Sequence, residues 1–201
     1  MSAAAPQGLK GALHAHTTCS DGQLTPEEAL RAYHELGFDF VALTDHDFLM
    51  KPDAYAAIPD VFEGMLVYKG VEKTIFVRGY VHVNVIRGRE ETLQVFNHPA
   101  EYGYTVPQVL ERIALVEQNM PLHAIEVTAK GFYTPEYDIP AIALPKVASD
   151  DSHTLEMCGR AWVTVAAARE HDAILRAVKS GRVSIQYGAT ARQQTWAHVA
   201  L

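Results

Sequence analysis

The sequence has few cysteines and no long apolar run. Its two cysteines, Cys19 and Cys158, match neither a disulfide framework nor the spacing of a zinc finger. We therefore expect free thiols in a reducing cytoplasm, with packing rather than metal ligation as their role. No apolar stretch approaches the roughly 18 residues of a membrane span. Residues 1–7 lack the charged and apolar regions of a signal peptide. These absences predict a cytoplasmic protein that does not act at a membrane.

Basic residues are fewer than acidic ones. Lys and Arg number 17 against 24 Asp and Glu, which gives a net charge of -7. This balance argues against a protein that holds duplex nucleic acid on a broad basic surface. A small nucleotide stays compatible, because the charge near a site decides its binding. With 201 residues and 48% hydrophobic content, residues 1–201 are expected to form a single domain. Its tail, 189–201, could pack on that domain, bind a partner or be disordered.

The first part of the chain alternates between apolar strands and a helix. Residues 9–14 and 38–44 are apolar, and a helix begins between them after Thr25. Thr25 and Glu28 can form a capping box, with Pro26 in the first helical position. A strand, a helix and a strand joined by short links form a βαβ unit with parallel strands. Further strands are predicted at 65–71, 75–86, 93–97, 122–128, 145–149, 161–165 and 183–187, and further helices at 105–119 and 168–180.

Two histidines, His14 and His16, follow the first predicted strand. Because side chains alternate along a strand, both should project from the same face. Asp21 lies past a turn of small residues and could curl back to offer an oxygen ligand. A lone His-x-His pair is equally typical of ordinary hydrogen-bonded histidines, so the metal interpretation depends on other donors. His46 ends the next parallel strand and should lie at the same rim.

Ligand-type residues recur at other strand ends. Imidazole combined with carboxylate suits zinc, manganese or iron better than calcium. A carboxylate such as Glu72 can bridge two cations about 4 Å apart. The recurrence predicts a site for divalent metal ions such as Mn, Zn or Fe. The nine candidate ligands are His14, His16, Asp21, His46, Glu72, His82, His98, Asp151 and His153.

Taken together, these motifs resemble the polymerase and histidinol phosphatase (PHP) superfamily. The resemblance extends from about Leu9 to Val165. It implies an α/β fold, a distorted (β/α)7 TIM-like barrel, that holds up to three metal ions. We therefore expect two to three divalent metal ions (Mn, Zn or Fe). The motifs are His14-x-His16-x4-Asp21-Gly22, Thr44-Asp45-His46-Asp47, Gly70-Val71-Glu72, His82, Asn97-His98-Pro99 and Ser149-Asp150-Asp151-Ser152-His153.

The resemblance also implies how the donors are shared among the ions. The first ion takes His14, His16, Glu72 and Asp151; the second takes Glu72, His82 and His98; the third takes Asp21, His46 and His153. Some family members have histidine in place of Asp21, and the aspartate form is similar to the branch that cleaves nucleotide phosphates. That branch commonly carries a helical insertion between the equivalents of His82 and His98. The short interval 83–97 predicts that this lid is absent. The histidinol phosphatase branch is longer than this chain.

Several aspartates lie next to the predicted ligands. Asp150 is an alternative to Asp151, but only Asp151 keeps the Asp-x-His spacing of the motif. Asp45 and Asp47 flank His46, and one of them could orient that ring through its second nitrogen.

The expected activity is hydrolysis of a small phosphate ester, which could be a nucleotide. A water ionised between the first two metals would attack phosphorus, and the third metal would offset charge on the phosphate oxygens. Glu72, Asp151 and His153 are therefore the expected catalytic residues.

Other residues are candidates for binding the substrate. Arg160, Lys73 and Lys130 could bind phosphate, although each could equally be a solvated surface charge. His123 could act as a general acid, or be an ordinary hydrogen-bonded strand histidine. Two alternatives to a phosphoesterase stay open: a carbamate or carboxylic ester hydrolase with the same metals, and a non-catalytic metal-stabilised module.

Overall fold

A computed structural model of the chain describes residues 8–51, 53–189, 191 and 194–199. The strands are β1 (Leu9–Ala12), β2 (Phe40–Leu43), β3 (Val61–Phe62), β4 (Met65–Phe76), β5 (Tyr80–Arg87), β6 (Thr92–Phe96), β7 (Ala124–Glu126), β8 (Thr128–Ala129), β9 (Phe132–Tyr133), β10 (Lys146–Val147), β11 (Ala161–Val165) and β12 (Val183–Tyr187). The α-helices are α1 (Pro26–Glu35), α2 (Val106–Val116), α3 (His171–Lys179) and the short α4 (Trp196–Val199). Short 3-10 helices lie at Pro99–Tyr102, Pro135–Tyr137 and Leu155–Met157.

One curved sheet dominates the fold. Its strands follow the order β10-β7-β6-β5-β4-β2-β1-β11-β12, and β3 pairs with β4. Strands β1, β2 and β4 are parallel neighbours, as are β6, β7 and β10, while β5, β11 and β12 run antiparallel to their neighbours. The two end strands, β10 and β12, come within 8 Å of each other between Cα atoms, so the sheet nearly closes. The predicted α/β fold with a distorted TIM-type barrel is confirmed.

Alternation along the strands divides the core into an interior and an outer layer. On β2, Phe40 and Ala42 join the cluster inside the barrel, while Val41 and Leu43 pack with α1. Helix α3 contributes Ile174, among others, to the interior cluster. Gly11 is required for this packing, because a Cβ atom there would lie 1.9 Å from the ring of Phe40.

Local sequence signals account for the helix starts. Thr25 and Glu28 form the predicted capping box of α1, and Thr105 and Gln108 form that of α2. None of the described helices has the length and apolarity needed to cross a bilayer. Part of the tail packs on the barrel, since Ala191 is buried and Thr195 forms a bridge with Tyr133. Residues 190, 192, 193, 200 and 201 lie outside the described residues.

Several predicted boundaries differ from the structure. Strand β4 does not end at Val71 but continues to Phe76, because pairing with β5 extends it. The predicted strand 75–86 is interrupted by a turn in which Arg78 and Gly79 have positive φ angles. The predicted strand 122–128 is split into β7 and β8, and the short strand β9 follows them.

Candidate metal centre

All nine predicted donors meet at one end of the barrel. They are carried by the segments after β1, β2, β6 and β10 and by the adjacent ends of β4 and β5. Because β1, β2 and β4 are parallel, their carboxyl ends share one rim, as the motif positions predicted. The donor atoms fall into overlapping groups, and within each group they lie no more than 4.8 Å apart. We refer to these nine side chains as the metal cluster.

Glu72 lies at the centre of the metal cluster, and its two carboxylate oxygens face different histidines. Oε1 lies 3.1 Å from His82 Nδ1, 3.1 Å from His98 Nε2 and 3.3 Å from His14 Nε2. Oε2 lies 3.1 Å from His46 Nδ1 and 3.2 Å from His16 Nε2. Two atoms that both bind one cation at about 2.1 Å are separated by roughly 3.0–3.5 Å. Glu72 is therefore placed as a bridging carboxylate would be.

Asp151 completes the group around His14 and His16. Its Oδ1 lies 3.1 Å from His16 Nε2 and 3.3 Å from His14 Nε2. The two Nε2 atoms are themselves 3.0 Å apart, which is again the separation of two ligands on one cation. All three side chains are buried. Asp150, the alternative from the sequence, instead accepts hydrogen bonds from Tyr33 and from the backbone N–H of Gly159.

Asp21 forms the more open part of the metal cluster, and its side chain is 40% exposed. Its carboxylate lies 3.3 Å from His16 Nδ1, 3.4 Å from His153 Nε2 and 3.5 Å from His46 Nε2. The Nδ1–H of His153 donates to the carbonyl oxygen of Asp151 over 2.9 Å. This bond fixes the tautomer, so that Nε2 of His153 is left with a free lone pair toward Asp21.

Asp45 holds the loop that carries Asp21. Its Oδ1 accepts hydrogen bonds from the backbone N–H of Thr17, at 2.7 Å, and from the hydroxyl of Ser20, at 2.5 Å. Its Oδ2 accepts hydrogen bonds from the Thr17 and Tyr55 hydroxyls.

The expectation that Asp45 or Asp47 orients His46 is wrong. Asp45 faces the loop at Thr17, and Asp47 lies 3.8 Å from Lys73 Nζ and accepts the N–H of Thr74. Neither aspartate contacts the imidazole of His46.

Glu126 is a buried carboxylate that the sequence interpretation did not assign to the site. Its Oε2 accepts the backbone N–H of His98 over 3.0 Å and lies 3.4 Å from His14 Nδ1. Through these two contacts, Glu126 positions two histidines of the metal cluster. The signal was present, since Glu126 ends β7 in the same way that other donors end their strands.

Two donors adopt backbone conformations that non-glycine residues rarely adopt. The φ angle is 22° at His98 and 45° at Asp151. Such residues cluster at functional sites, where surrounding contacts hold them in place. Around Asp151 those contacts come from its neighbours: Asp150 and Ser152 both bond the Tyr33 hydroxyl at 2.8 Å.

The electrostatics of the metal cluster favour ionised carboxylates. Burial opposes ionisation of Glu72, but His14, His16 and His82 keep its pKa well below the usual value. Burial would lower the pKa of His14, yet Asp151, Glu72 and Glu126 raise it to about 10. The carboxylates of Glu72 and Asp151 are thus ionised in a buried region, where bound cations would take the place of the histidine protons that balance them.

Unpaired buried atoms provide a test of whether metal ions fit. Nδ1 of His46 and of His82 and Oδ1 of Asp151 are buried and have no hydrogen-bond partner. Buried polar atoms without partners are costly, and all of these can bind a metal ion. The residues present therefore fit divalent cations.

The four predicted substrate-binding residues are not all near the metal cluster. Lys130 lies beside the metal cluster, because its Nζ is 2.5 Å from Asp151 Oδ2. Arg160 instead donates to the carbonyl oxygen of Lys130 over 3.4 Å and stacks on Phe132, so it supports the Lys130 segment.

The other two candidates point elsewhere. Lys73 follows Glu72 on β4 and pairs with Asp47 on the opposite face. His123 precedes β7, so it lies at the other end of that strand, where its Nδ1 accepts the N–H of Gln94. The structure does not bring His123 to the metal cluster.

The two cysteines are free thiols and neither belongs to a donor group of the described residues. Cys19 Sγ faces the carbonyl oxygen of Ala54, and Cys158 Sγ faces that of Thr154. Burial and the nearby Asp150 raise the pKa of Cys158 to about 12, so this thiol stays protonated.

Comparison with protein families agrees with this geometry. A family model described as PHP domain matches residues 12–157, and one described as PHP-associated matches residues 140–183. No curated protein matches the chain.

Three solved structures resemble the fold at low sequence identity. One is a two-domain protein from Bacteroides vulgatus containing a predicted PHP-like metal-dependent phosphoesterase, with 21% identity and a TM-score of 0.67 over 89% of this chain. The present chain spans 64% of that protein. PsfC from Pseudomonas syringae has 16% identity and a TM-score of 0.65 over 93% of this chain and 94% of its own. An amidohydrolase from Chromobacterium violaceum, with bound sulfate and no metal, has 17% identity and a TM-score of 0.58 over 72% of this chain and 87% of its own.

Proposed function

The chain belongs to the PHP domain family, and we propose that it hydrolyses a small phosphate ester with the help of two or three divalent metal ions. The observation that carries this proposal is the position of Glu72, whose two carboxylate oxygens face separate sets of histidines. A bridging carboxylate of this kind is typical of hydrolytic sites with two metal ions about 4 Å apart.

We assign the donors to ions as the family resemblance implies. The short separations within His14, His16 and Asp151 and within Asp21, His46 and His153 support the assignment for the first and third ions. His14, His16, Glu72 and Asp151 would hold the first ion, and Glu72, His82 and His98 the second. Asp21, His46 and His153 would hold the third, at the more exposed side. Ions bound there would acidify a water molecule and offset the charge of phosphate oxygens.

The protein's own side chains have separate tasks in this proposal. Glu72 and Asp151 would hold the ions, and His153 is fixed in one tautomer by its bond to the Asp151 carbonyl. Lys130 lies at the edge of the metal cluster, where its ammonium can contact a phosphate oxygen. Glu101, 3.7 Å from the same ammonium, helps to hold Lys130 in this position. The substrate class that fits is a small organic phosphate, including nucleotides.

Three model esters test the proposal on the manganese-loaded protein. We expect hydrolysis of p-nitrophenyl phosphate or bis-p-nitrophenyl phosphate, and loss of that activity in Glu72→Ala. Glu91→Gln is the matched control, since Glu91 pairs with Lys179 outside the metal cluster. Activity restricted to p-nitrophenyl acetate would contradict a phosphoesterase.

A carboxylic ester or carbamate hydrolase is the second candidate. The fold similarity to a protein named as an amidohydrolase favours it. The acetate ester in the same experiment decides between the two. A non-catalytic module is disfavoured, because all nine candidate donors are present and oriented toward one another.

A further inference from the structure

Exposed hydrophobic side chains are frequent close in sequence to the metal-cluster residues. Eight large ones are exposed among the described residues, and five of these lie within four positions of a candidate ligand: Phe48, Leu49, Phe76, Tyr80 and Leu155. Single exposed apolar residues are common, but a group of them marks a binding surface. Among the five, the rings of Phe76 and Tyr80 contact each other and form one exposed aromatic surface.

The β4–β5 hairpin carries two of these residues above the metal cluster. Phe76 pairs with Tyr80, and four residues earlier on the same strand lies Glu72. Because side chains alternate, Phe76 shares the face of Glu72, and Tyr80 shares that of His82. Four residues of strand span roughly 13 Å. Phe76 and Tyr80 are 70% and 58% exposed, and their ring centroids are 5.3 Å apart.

The tip of this hairpin is held in place by helix α2 and its preceding loop. The Tyr104 hydroxyl donates to the carbonyl oxygen of Tyr80 over 2.8 Å. Arg78, in the turn, forms an ion pair with Glu111, and its carbonyl oxygen accepts from Arg112. The aromatic pair is thus positioned before any ligand binds, which reduces the entropy that binding would cost.

Aromatic rings also surround the exposed side of the donors. The ring of Phe48, which is 66% exposed, lies 5.3 Å from His46, and His46 lies 5.1 Å from His82. The ring of Tyr102 lies 5.7 Å from that of His82. A ligand that enters between the hairpin and the metal cluster therefore meets ring faces and edges.

Building on the proposed phosphate-ester hydrolysis, we propose that Phe76 and Tyr80 form the leaving-group subsite and select esters whose leaving group carries a planar aromatic ring, as a nucleobase does. With the phosphate at the metal cluster, the remainder of the substrate extends along the inner face of the hairpin. Any nucleobase can stack on an aromatic side chain, and such stacking strengthens binding by roughly tenfold or more. The subsite would thus recognise the presence of a ring rather than one base.

Two esters with the same phosphorylated sugar test this subsite. Adenosine 5′-monophosphate carries a ring system that ribose 5-phosphate lacks, and both present a primary phosphate on ribose. With the manganese-loaded full chain we expect kcat/KM to be at least about tenfold higher for the adenosine ester. In the double variant Phe76→Leu, Tyr80→Leu the ratio should fall to within about twofold of one. Val61→Ala, which changes an exposed residue of β3, should keep the wild-type ratio.

Two failures can be told apart. Equal kcat/KM for both esters, or a preference that survives in the double variant, overturns the subsite while leaving phosphate-ester hydrolysis intact. If neither ester is cleaved, the proposed activity fails, and binding of free adenosine decides the subsite separately. Saturation-transfer NMR should then show adenine protons in contact with the wild-type protein, and the signal should weaken in the double variant. An absent or unchanged signal overturns the subsite.

Discussion

The Tyr33 hydroxyl donates a hydrogen bond to Asp150 over 2.8 Å, and both side chains are fully buried. The same hydroxyl bonds Ser152 at 2.8 Å, so Tyr33 holds the residues on both sides of Asp151. Asp151, between them, has a φ angle of 45° and directs its carboxylate to the metal cluster. A tyrosine of α1 thus positions a candidate metal ligand that lies more than a hundred residues away in sequence.

Replacing Tyr33 by Phe should weaken both stability and metal binding. The change removes two buried hydrogen bonds, and Asp150 loses the hydroxyl that donates to it. The free energy of unfolding should therefore fall by about 1–3 kcal/mol. Positioning residues of metal ligands typically affect metal affinity 10- to 100-fold. Urea unfolding and calorimetric titration with Mn²⁺ measure the two effects. Tyr133→Phe is the matched control, because its partner Asp138 is near the surface. Unchanged metal affinity in Tyr33→Phe would contradict this role.

The neighbouring aspartates should respond differently to the same substitution. Asp151→Asn removes a charged donor from the metal cluster, so we expect fewer bound ions and little turnover. Asp150→Asn leaves the metal cluster intact but alters a buried network, so we expect reduced stability with the bound metal retained. Plasma mass spectrometry of the two purified variants, with a melting curve for each, makes the comparison. The opposite pattern would show that Asp150 is the ligand.

Removing the metal ions should destabilise the protein. Ligands that bind only the native state add stability, about 2.7 kcal/mol at a free concentration one hundred times the dissociation constant. The metal-free protein also retains closely spaced carboxylates such as Glu72 and Asp151. We expect the melting temperature to fall after dialysis against a chelator and to recover on addition of Mn²⁺. A melting curve that is indifferent to the chelator would indicate that the donors do not bind ions.

His123 should be dispensable for activity but visible in the pH dependence of stability. Burial and the nearby Lys179 lower its pKa in the folded protein below the ordinary value near 6.5. A histidine with a depressed folded pKa stabilises the fold above its unfolded pKa, and this contribution is lost as the pH falls below about 6.5. His123→Gln should therefore lose less stability than wild type between pH 7.5 and pH 5.5. Chemical unfolding at the two pH values measures this, and a large loss of turnover in the variant would restore His123 as a general acid.

Much of the metal cluster could be predicted from the sequence, because most of its donors follow strand ends and parallel strands bring those ends together. His14, His16 and His46 lie where the βαβ unit places them. The supporting residues were harder to predict. Tyr33 reaches the site through a contact between distant parts of the chain, and no local spacing marks it. Glu126 could have been assigned, because it ends β7 as other donors end their strands.

The errors in the prediction have the same physical origin. His123 was proposed either as a general acid or as an ordinary hydrogen-bonded histidine, and its position before β7, at the far end of that strand, agrees only with the second alternative. The length of β4 depends on its pairing with β5, which extends the hairpin past Glu72 and carries Phe76 beyond the donors. Pairing between strands, unlike apolar periodicity, is not visible in a single segment.

The most direct test of the account is a crystal structure of the full chain grown with manganese, with an anomalous difference map recorded above the manganese absorption edge. We predict two or three peaks inside the metal cluster, two of them bridged by the Glu72 carboxylate and each about 2.1 Å from its nitrogen and oxygen ligands. A map without peaks among these residues, or with peaks only at the protein surface, would contradict the central claim that the nine side chains form a metal centre.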